Sequence, residues 1–550
     1  MTCRKALYKI LLSIVISLFS IKFSHSQVFT LADTLRGSIT PERSWWDLLQ
    51  YDLSVTVDPS NKFISGTNIV KFKVVEPRQV MQIDLQPPLK IVKVTEENKE
   101  LKFSREGNVY YIELQKKQNP GEKNEIIIQY DGNPVSAKMA PWDGGFSWKK
   151  DSNGKDFIAT SCQGIGASIW WPCKDHMYDE PENMWIRITV PDNLTGVGNG
   201  RLMKTTDNLN GTKTFDWYVS NPINNYGVNV NIGDYVNFSE KYDGEKGKLD
   251  CEYYVLKENF EKAKKQFQDV PRMLKAFEYW LGPYPFYEDS YKLVEVPYLG
   301  MEHQSSVTYG NKFKNGYLGQ DRSKTGWGLK FDYIIIHESG HEWFANNITY
   351  SDIADMWVHE GFTCYSENLF LEYYYGKKAG SEYVIGQREE IDNKKPIIGK
   401  YNVNQEGSGD MYCKGANILH TLRQIVNDDE KWRNILRSMN KDFYHQVVTS
   451  TTIENYLSKA IGLDLKPFFD LYLRDYRIPS FDYKIEKNKI TYRWSNCTEG
   501  FSIPVKILIN DEIVWLAPTQ QWEEKEVKTE VKTVKVDDNF YVESMNLTNY

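Results

Sequence analysis

The chain has 550 residues, 41% of them hydrophobic, which is enough to bury a sizeable core and more than one core usually holds. We therefore expect about two to four globular domains. Its 67 basic and 74 acidic residues give a formal charge of -7, and no basic block suits a phosphate backbone, which argues against a nucleic-acid partner.

The amino terminus has the pattern of a secretory signal peptide. Basic residues open the chain, Ile10–Phe19 is apolar, and Ser24 and Ser26 are the small residues expected before a cleavage site. We therefore exclude residues 1–26 from the fold and expect export to a periplasm or to the cell exterior. An uncleaved membrane anchor is the alternative, although the apolar stretch is shorter than the ~20 residues that a span needs. No second stretch is long enough, so we expect no membrane span in the mature chain.

Six cysteines follow the signal segment, and they are widely spaced without a Cys-x-x-Cys pair. A chain of this size does not need disulfides to complete its core. The spacing therefore indicates no disulfide framework, and we expect these cysteines to act as small buried hydrophobes.

The rest of the chain predicts a multidomain α+β protein with three regions. Residues 27–245 hold short runs of alternating apolar and polar residues between Gly, Pro and Asn turns, which predict a predominantly antiparallel β domain. A polar, Gly-containing stretch, Tyr242–Lys248, marks the first boundary. Residues 246–476 show apolar residues three and four apart with a few strand-like runs, typical of a mainly helical domain. Strand-like runs return in residues 477–550 and predict a small β sandwich.

The motif that decides the functional prediction is His337-Glu-Ser-Gly-His341, in a predicted helix over Asp332–Asn346. Positions four apart lie on one helix face, so His337 and His341 can each offer a ring nitrogen to one ion. Glu338 lies beside that face and can act as general base, and then as general acid, for an attacking water. From this motif alone, the alternative to a metal site is a solvated or core histidine pair on an ordinary helix.

A catalytic zinc ion normally has three protein ligands and one open position, so a third ligand must come from elsewhere. Glu360 is the candidate, because it begins a second predicted helix, and antiparallel helices joined by a short loop bring facing residues together. His359 competes in principle, but successive helical residues point about 100° apart. Two histidines and one glutamate are a set that lowers the pKa of a bound water to ~7, so we predict a single zinc ion per chain.

These residues resemble the aminopeptidase N-like gluzincins, a family that also includes leukotriene hydrolases. Its members carry His-Glu-x-x-His, then eighteen residues and a glutamate, and Trp357-Val-His-Glu-Gly-Phe362 is similar to their Trp-Leu-Asn-Glu-Gly-Phe. Leu299-Gly-Met-Glu-His303 resembles their exopeptidase motif Gly-Ala-Met-Glu-Asn, although three of five positions differ. The resemblance implies that Glu302 binds the free α-amine of the substrate, with Gly300 and Met301 beside it. Without the resemblance, a surface role would be expected for Glu302.

Three further residues take their expected roles from the same resemblance. Met411-Tyr-Cys-Lys-Gly-Ala416 is similar to the family's Tyr-x-Lys-Gly-Ala, which implies that Tyr412 hydrogen-bonds the oxyanion of the intermediate. Thr160-Ser-Cys-Gln163 looks like Ser-Gln-Cys-Gln, so Gln163 would help to bind the amine across the domain junction. Glu367 falls where these enzymes carry a carboxylate behind a zinc histidine, with a helix-surface role as the alternative.

The resemblance runs from about Asp52 to Ser480. It implies an N-terminal β saddle, a thermolysin-like catalytic domain and a short terminal β domain, without the large C-terminal helical domain of many members. The expected activity is a zinc-dependent aminopeptidase acting on peptides with a free amino terminus. A zinc endopeptidase, another zinc hydrolase such as an epoxide-opening enzyme, and an inactive peptide-binding protein are the alternatives. The sequence indicates neither an oligomeric state nor a preferred side chain at the cleaved residue.

Overall fold

The computed structural model describes residues 28–549, and the predicted signal segment 1–26 lies outside the described residues. A β-rich region, a mainly helical region and a strand-rich end follow one another in the predicted order. One hydrophobic core lies in the β-rich region, and a second runs from the helical region into the last strands. No helix in the described part of the chain has the length and apolar composition needed to cross a bilayer.

The N-terminal region begins with helices α1 (Leu31–Gly37) and α2 (Pro41–Ser44) and continues as three sheets. Its strands are β1 Trp46–Asp58, β2 Phe63–Val74, β3 Val80–Asp84, β4 Lys90–Glu96, β5 Lys99–Glu100, β6 Lys102–Glu106, β7 Val109–Glu113, β8 Lys123–Gly132, β9 Gly145–Lys150, β10 Asp156–Ser161, β11 Asn183–Pro191, β12 Thr195–Val197, β13 Arg201–Asp207, β14 Thr212–Val219 and β15 Asn231–Gly233. The sheet orders are β13-β14-β11-β1-β2-β8-β4-β5, β12-β15-β10-β9 and β3-β7-β6.

One pair in the largest sheet departs from the predicted antiparallel pattern. β1 and β11 run parallel, with Leu53 opposite Ile186, whereas β1 and β2 are antiparallel. Alternation of apolar and polar residues identifies a strand and its buried face, but it carries no information on the direction of the neighbouring strand.

The hairpin of β16 (Tyr235–Gly244) and β17 (Gly247–Leu256) belongs to the sheet of the helical region. β17 pairs in parallel with β18 (Tyr291–Glu295), and the sheet order is β16-β17-β18-β20-β19, with β20 at Val307–Tyr309 and β19 at Gly300–Met301 on the edge. The predicted boundary between residues 245 and 246 lies in the turn of this hairpin. A polar turn and a polar linker have the same composition, so the sequence of this stretch does not distinguish them.

The helical region packs its helices around the motif helix. These elements are α3 Phe260–Gln266, α4 Asp269–Leu281, α5 Tyr333–Gly340, α6 Trp357–Tyr375, α7 Lys377–Gly386, α8 Cys413–Val426, α9 Asp429–Asp442, α10 Ser450–Ile461 and α11 Lys466–Arg474, with the short strands β21 Ile348–Tyr350 and β22 Gln446–Val448. Their inner faces contribute most of the second core.

Helix α5 is shorter than predicted. Asp332 caps its start by accepting hydrogen bonds from the next backbone N–H groups, and the regular helix ends at Gly340. Beyond it the turns widen, and Phe344 and Ala345 leave helical geometry. The break turns the carbonyl oxygen of Phe344 toward His341, 3.0 Å from Nδ1. Residue spacing in the sequence does not predict this contact.

Helices α6 and α8 cross at two glycines. A β-carbon built on Gly361 would lie 3.2 Å from the α-carbon of Gly415, so the two backbones are in direct contact there. Gly361 follows Glu360, and Gly415 lies three residues after Tyr412. The crossing therefore places the start of each helix beside the other.

The C-terminal strands form two small sheets that share the second core. The strands are β23 Ser480–Glu486, β24 Lys489–Ser495, β25 Val505–Ile509, β26 Glu512–Leu516, β27 Glu523–Glu526, β28 Val534–Val536 and β29 Glu543–Asn546, in the orders β27-β24-β23-β29 and β26-β25-β28. Tyr472 of α11 is buried against them and donates a hydrogen bond to the carbonyl oxygen of Tyr541 at 2.6 Å. These strands thus pack on the helical region.

Candidate metal centre and peptide-binding cleft

A cleft of about 1170 Å³ lies where the N-terminal β region meets the helical region. Gln163, Gly164 and Ile165 line it from the β side, and edge strand β19 together with α5 lines it from the other. All the residues predicted to bind metal or substrate, or to take part in catalysis, border this one cavity: Gln163, Gly300, Met301, Glu302, His337, Glu338, His341, Glu360 and Tyr412.

The three predicted metal ligands converge in the cleft floor. Nε2 of His341 lies 3.3 Å from Oε2 of Glu360, and Nε2 of His337 lies 3.6 Å from the same oxygen. His337 lies on α5, His341 directly follows its last residue, Glu360 lies in the first turn of α6, and all three are buried. One ligand atom from each lies within 4.8 Å of the other two, a spacing that a single ion can bridge.

The outer nitrogens of both histidines are held by acceptors, which fixes the tautomers. Nδ1 of His337 lies 2.7 Å from Oε1 of Glu367, and Nδ1 of His341 lies 3.0 Å from the carbonyl oxygen of Phe344. Because that carbonyl oxygen can only accept, Nδ1 of His341 carries the proton, and the carboxylate of Glu367 favours the same state in His337. Both Nε2 lone pairs therefore face Glu360.

This arrangement requires a positive charge at its centre. Oε2 of Glu360 is buried and receives no hydrogen bond from the described residues, although two histidine nitrogens face it. Burial lowers the pKa of His337, but the Glu360 and Glu367 carboxylates outweigh it and raise the pKa well above its ordinary value. Two imidazoles and one carboxylate, each with a free lone pair, are a donor set that fits zinc.

His359, the competing ligand candidate, lies outside this cluster. Its Nε2 accepts a hydrogen bond from the backbone N–H of Tyr350 at 3.0 Å, and its ring stacks on that of Tyr350 with centroids 4.0 Å apart. A lone pair already used by a backbone N–H is not available to an ion, whereas Oε2 of Glu360 faces both His337 and His341.

The predicted base, Glu338, is packed against edge strand β19. A β-carbon on Gly300 would lie 3.1 Å from Oε1 of Glu338, so the carboxylate rests on a position without a side chain. Burial raises the pKa of Glu338 to about 7. Single oxygens of Glu338 and Glu302 and a nitrogen of His341 lie within 4.8 Å of one another, which places the base between the amine residue and the metal ligands.

The predicted amine site is assembled from both regions. Nε2 of Gln163 donates to Oε1 of Glu302 at 2.7 Å and to Oε1 of Glu360 at 3.2 Å. Glu302 is 2% exposed, and burial raises its pKa. Asn346 donates to the backbone oxygen of Glu302 at 2.9 Å and holds the end of β19. Met301 borders the cleft but is 2% exposed and packs into the N-terminal core.

Tyr412 lies on the opposite wall, just before α8. Its ring stacks near that of His337 with centroids 6.2 Å apart. Burial, with the nearby Glu360 and Glu302 carboxylates, raises the pKa of Tyr412 well above its ordinary value, so the phenol keeps its proton and can act as a donor.

Glu367, expected from the sequence either behind a zinc histidine or on the helix surface, is fully buried against His337, and the residues that hold it in turn were not predicted. Glu367 accepts hydrogen bonds from the hydroxyl of Tyr383 at 2.6 Å and from Nε2 of Gln387 at 3.1 Å. The hydroxyl of Tyr333 lies 3.3 Å from Nδ1 of His337, and the two rings stack. Tyr333 lies four residues before His337 on the same helix, a spacing visible in the sequence but too common to single it out. Tyr383 and Gln387 lie 16 and 20 residues after Glu367, and only the packing of the following segment on α6 brings them to it.

Similar proteins were found by sequence and by structure. Aminopeptidase B of Rattus norvegicus is 24% identical over 342 residues, which cover 58% of this chain and 49% of that protein. A leucyl aminopeptidase of Saccharolobus solfataricus is 20% identical over 474 residues, 82% of this chain and 58% of the relative. The chain thus spans about half the length of the curated relatives it matches.

The fold is similar to that of an M1 zinc metallopeptidase mutant from Deinococcus radiodurans solved with a Tyr-Ser-Ala substrate. The TM-score is 0.65 at 20% identity, and the match covers 78% of this chain and 94% of the solved one. The family model of the peptidase M1 N-terminal domain matches residues 48–226, and the model of the peptidase family M1 domain matches residues 266–472. Since the two models together span most of the chain, the resemblance to the gluzincins is confirmed, and the chain belongs to the peptidase M1 family.

Proposed function

We propose that this chain is a zinc-dependent aminopeptidase that removes single residues from peptides with a free amino terminus. The observation that carries the proposal is the hydrogen bond from Gln163 to Glu302, beside the metal-ligand candidate Glu360. A buried carboxylate and amide oxygen can bind a protonated amine. Anchoring the amine there brings the first peptide bond, rather than an internal one, to the metal ligands.

The residues of the cleft divide the proposed reaction among them. Glu302 and Gln163 hold the α-amine, and Glu338 accepts a proton from the attacking water and then gives it to the leaving nitrogen. Tyr412 donates its hydroxyl hydrogen to the carbonyl oxygen as that oxygen gains negative charge. A zinc ion held by His337, His341 and Glu360 would supply the Lewis acid that polarises the carbonyl and acidifies the water.

The environment of Glu338 suits a group that must both take and return a proton. Its ordinary pKa would make it a weak base, and burial brings the pKa to about 7. Because Gly300 has no side chain, the Glu338 carboxylate has room beside edge strand β19.

The decisive test compares the native chain with Glu338→Gln. Hydrolysis of aminoacyl amides should fall by a factor of about a thousand or more, whereas zinc content, measured by mass spectrometry of the metal, should stay the same. Substantial retained activity in zinc-loaded Glu338→Gln would remove Glu338 from the mechanism.

Blocking the substrate amine separates an aminopeptidase from the alternative zinc hydrolases. Peptides with an acetylated amino terminus should be cleaved far more slowly than the free peptides, since Glu302 and Gln163 then lack a cationic partner. Equal rates would favour an endopeptidase, and a chain that binds zinc but cleaves neither form would favour a peptide-binding protein.

A further inference from the structure

The wall of the cleft beyond the amine site carries a carboxylate without a described partner. Glu406 borders the cavity, is exposed to it, and takes part in no described hydrogen bond or ion pair. Another carboxylate of the cavity, Glu390, is already paired with Arg322. Glu406 is thus a negative charge available to a ligand.

The segment that carries Glu406 is held in place by the helical region. The backbone N–H of Gly399 donates to the carbonyl oxygen of Ala354 at 2.9 Å, and the N–H of Asn402 donates to Asp352 at 2.8 Å. Past Glu406, the N–H of Ser408 donates to the carbonyl oxygen of Pro396 at 3.2 Å. These hydrogen bonds hold the backbone on both sides of Glu406, so the position of its carboxylate is restricted.

Glu406 lies next to the amine site. A β-carbon on Gly164, the residue after Gln163, would lie 4.0 Å from Oε2 of Glu406. With the amine at Glu302 and Gln163 and the scissile carbonyl toward the metal ligands, the first side chain of a peptide extends into this part of the cleft. Ile353 and Met356 also line the cleft, Ile353 borders a smaller cavity together with Gly164, and the two side chains offer an apolar surface to an aliphatic stem.

The two arginines that line the cleft, Arg36 and Arg322, already have partners within the protein. Arg36 also borders the cleft, but its Nη2 donates to the carbonyl oxygen of Gly164 at 2.7 Å and its Nε lies 3.9 Å from Asp175. The charge of Arg36 is therefore compensated from within the protein, whereas that of Glu406 is not. A carboxylate without a partner at this position attracts a cationic side chain.

We propose that Glu406 makes this chain prefer peptides whose first residue is arginine or lysine. The inference rests on the proposed aminopeptidase function and names its substrate class. The long apolar stem of either residue packs along Ile353 and Met356, and its cationic end binds the Glu406 carboxylate.

The test uses pairs of fluorogenic amides that differ in charge and little in shape. Citrulline is a neutral analogue of arginine with nearly the same outline, so the ratio of kcat/KM for arginyl over citrullyl amide isolates the charge. The native zinc-loaded chain should show a ratio of roughly ten, and Glu406→Gln should bring it close to unity, with leucyl amide unchanged. The matched control is Glu389→Gln, which makes the same change at an exposed carboxylate paired with Lys324, and it should leave the ratio as in the native chain.

The outcomes separate this inference from the function it rests on. A native ratio near unity, or a high ratio that survives Glu406→Gln, overturns the role of Glu406 while leucyl amide turnover still supports the aminopeptidase. If no aminoacyl amide is hydrolysed by the zinc-loaded chain, both the function and the preference fall. Retained leucyl amide turnover in Glu406→Gln also shows that the variant is folded.

Discussion

Gly300 of the edge strand and Glu338 of the motif helix are packed so closely that a β-carbon on the glycine would lie 3.1 Å from Oε1 of the carboxylate. The same carbon would lie 2.6 Å from a methyl group of Ile334 on the preceding turn of the helix. Strand and base therefore fit together only while residue 300 has no side chain.

Gly300→Ala should accordingly lower kcat by about tenfold to a hundredfold, because the added methyl group displaces Glu338 from the attacking water. Steady-state kinetics with an aminoacyl amide, together with zinc content, measure the effect. Gly409→Ala is a suitable control, since it also borders the cleft and a β-carbon there meets no atom within 4 Å. Equal activity in the two variants would show that the contact with Glu338 is unimportant.

Glu367→Gln should weaken zinc binding by about tenfold to a hundredfold, since a neutral amide is a poorer acceptor for Nδ1 of His337 and makes that histidine a weaker ligand. Competition with a chelator gives the dissociation constant. Glu382→Gln makes the same change on α7 at a half-buried carboxylate that accepts from Trp327 and pairs with Lys378, and it should leave zinc binding unaltered. A native-like dissociation constant for Glu367→Gln would contradict the role given to Glu367.

Gln163→Ala should lower kcat/KM for free peptides by roughly ten- to a hundredfold, the effect expected for a lost hydrogen bond to a charged group. Acetylated peptides, which do not use the amine site, should change much less. The comparison of the two substrate classes in native and variant chains is the measurement. A uniform loss for both classes would instead point to the second bond of Gln163, to Glu360 at 3.2 Å.

Stability should fall as the pH rises toward 8 because of Glu342. Burial raises the pKa of this carboxyl from an ordinary value of 4.5 to about 8. The folded chain therefore binds more protons than the unfolded chain between these values, and stability that is fully present below about pH 4.5 is lost progressively up to about pH 8.

Glu342→Gln removes this titration, so its denaturation midpoint should depend less on pH than that of the native chain. Urea unfolding at several pH values between 5 and 9, at fixed zinc concentration, measures the difference. Because Glu342 accepts hydrogen bonds from Ser305 and Tyr284, the variant should be compared by its slope with pH rather than by stability at one pH. Parallel slopes for the two chains would count against this assignment.

The sequence predicts the metal ligands because their positions follow local rules. His337 and His341 share one helix face by spacing alone, and Glu360 begins the next long helix. The meeting of Gln163 with Glu302 could not be derived in that way, since 139 residues separate them and only the family resemblance joined them. The parallel pairing of β1 with β11 depends on contacts between distant segments, and so does the pairing of the β16–β17 hairpin with β18. Hydrophobic patterns do not encode such partners.

The contact between Gly361 and Gly415 fixes the distance between the helix that carries Glu360 and the helix that follows Tyr412. Since backbone touches backbone at that point, no side-chain rotamer can change the distance between the two helices there, and the contact fixes how close the backbones of Glu360 and Tyr412 lie. A side chain introduced at either glycine would drive the two helices apart, and the ion and the phenol would lose their alignment in a single movement. Loss of metal affinity and loss of turnover would then arise together from a position that touches neither ion nor peptide.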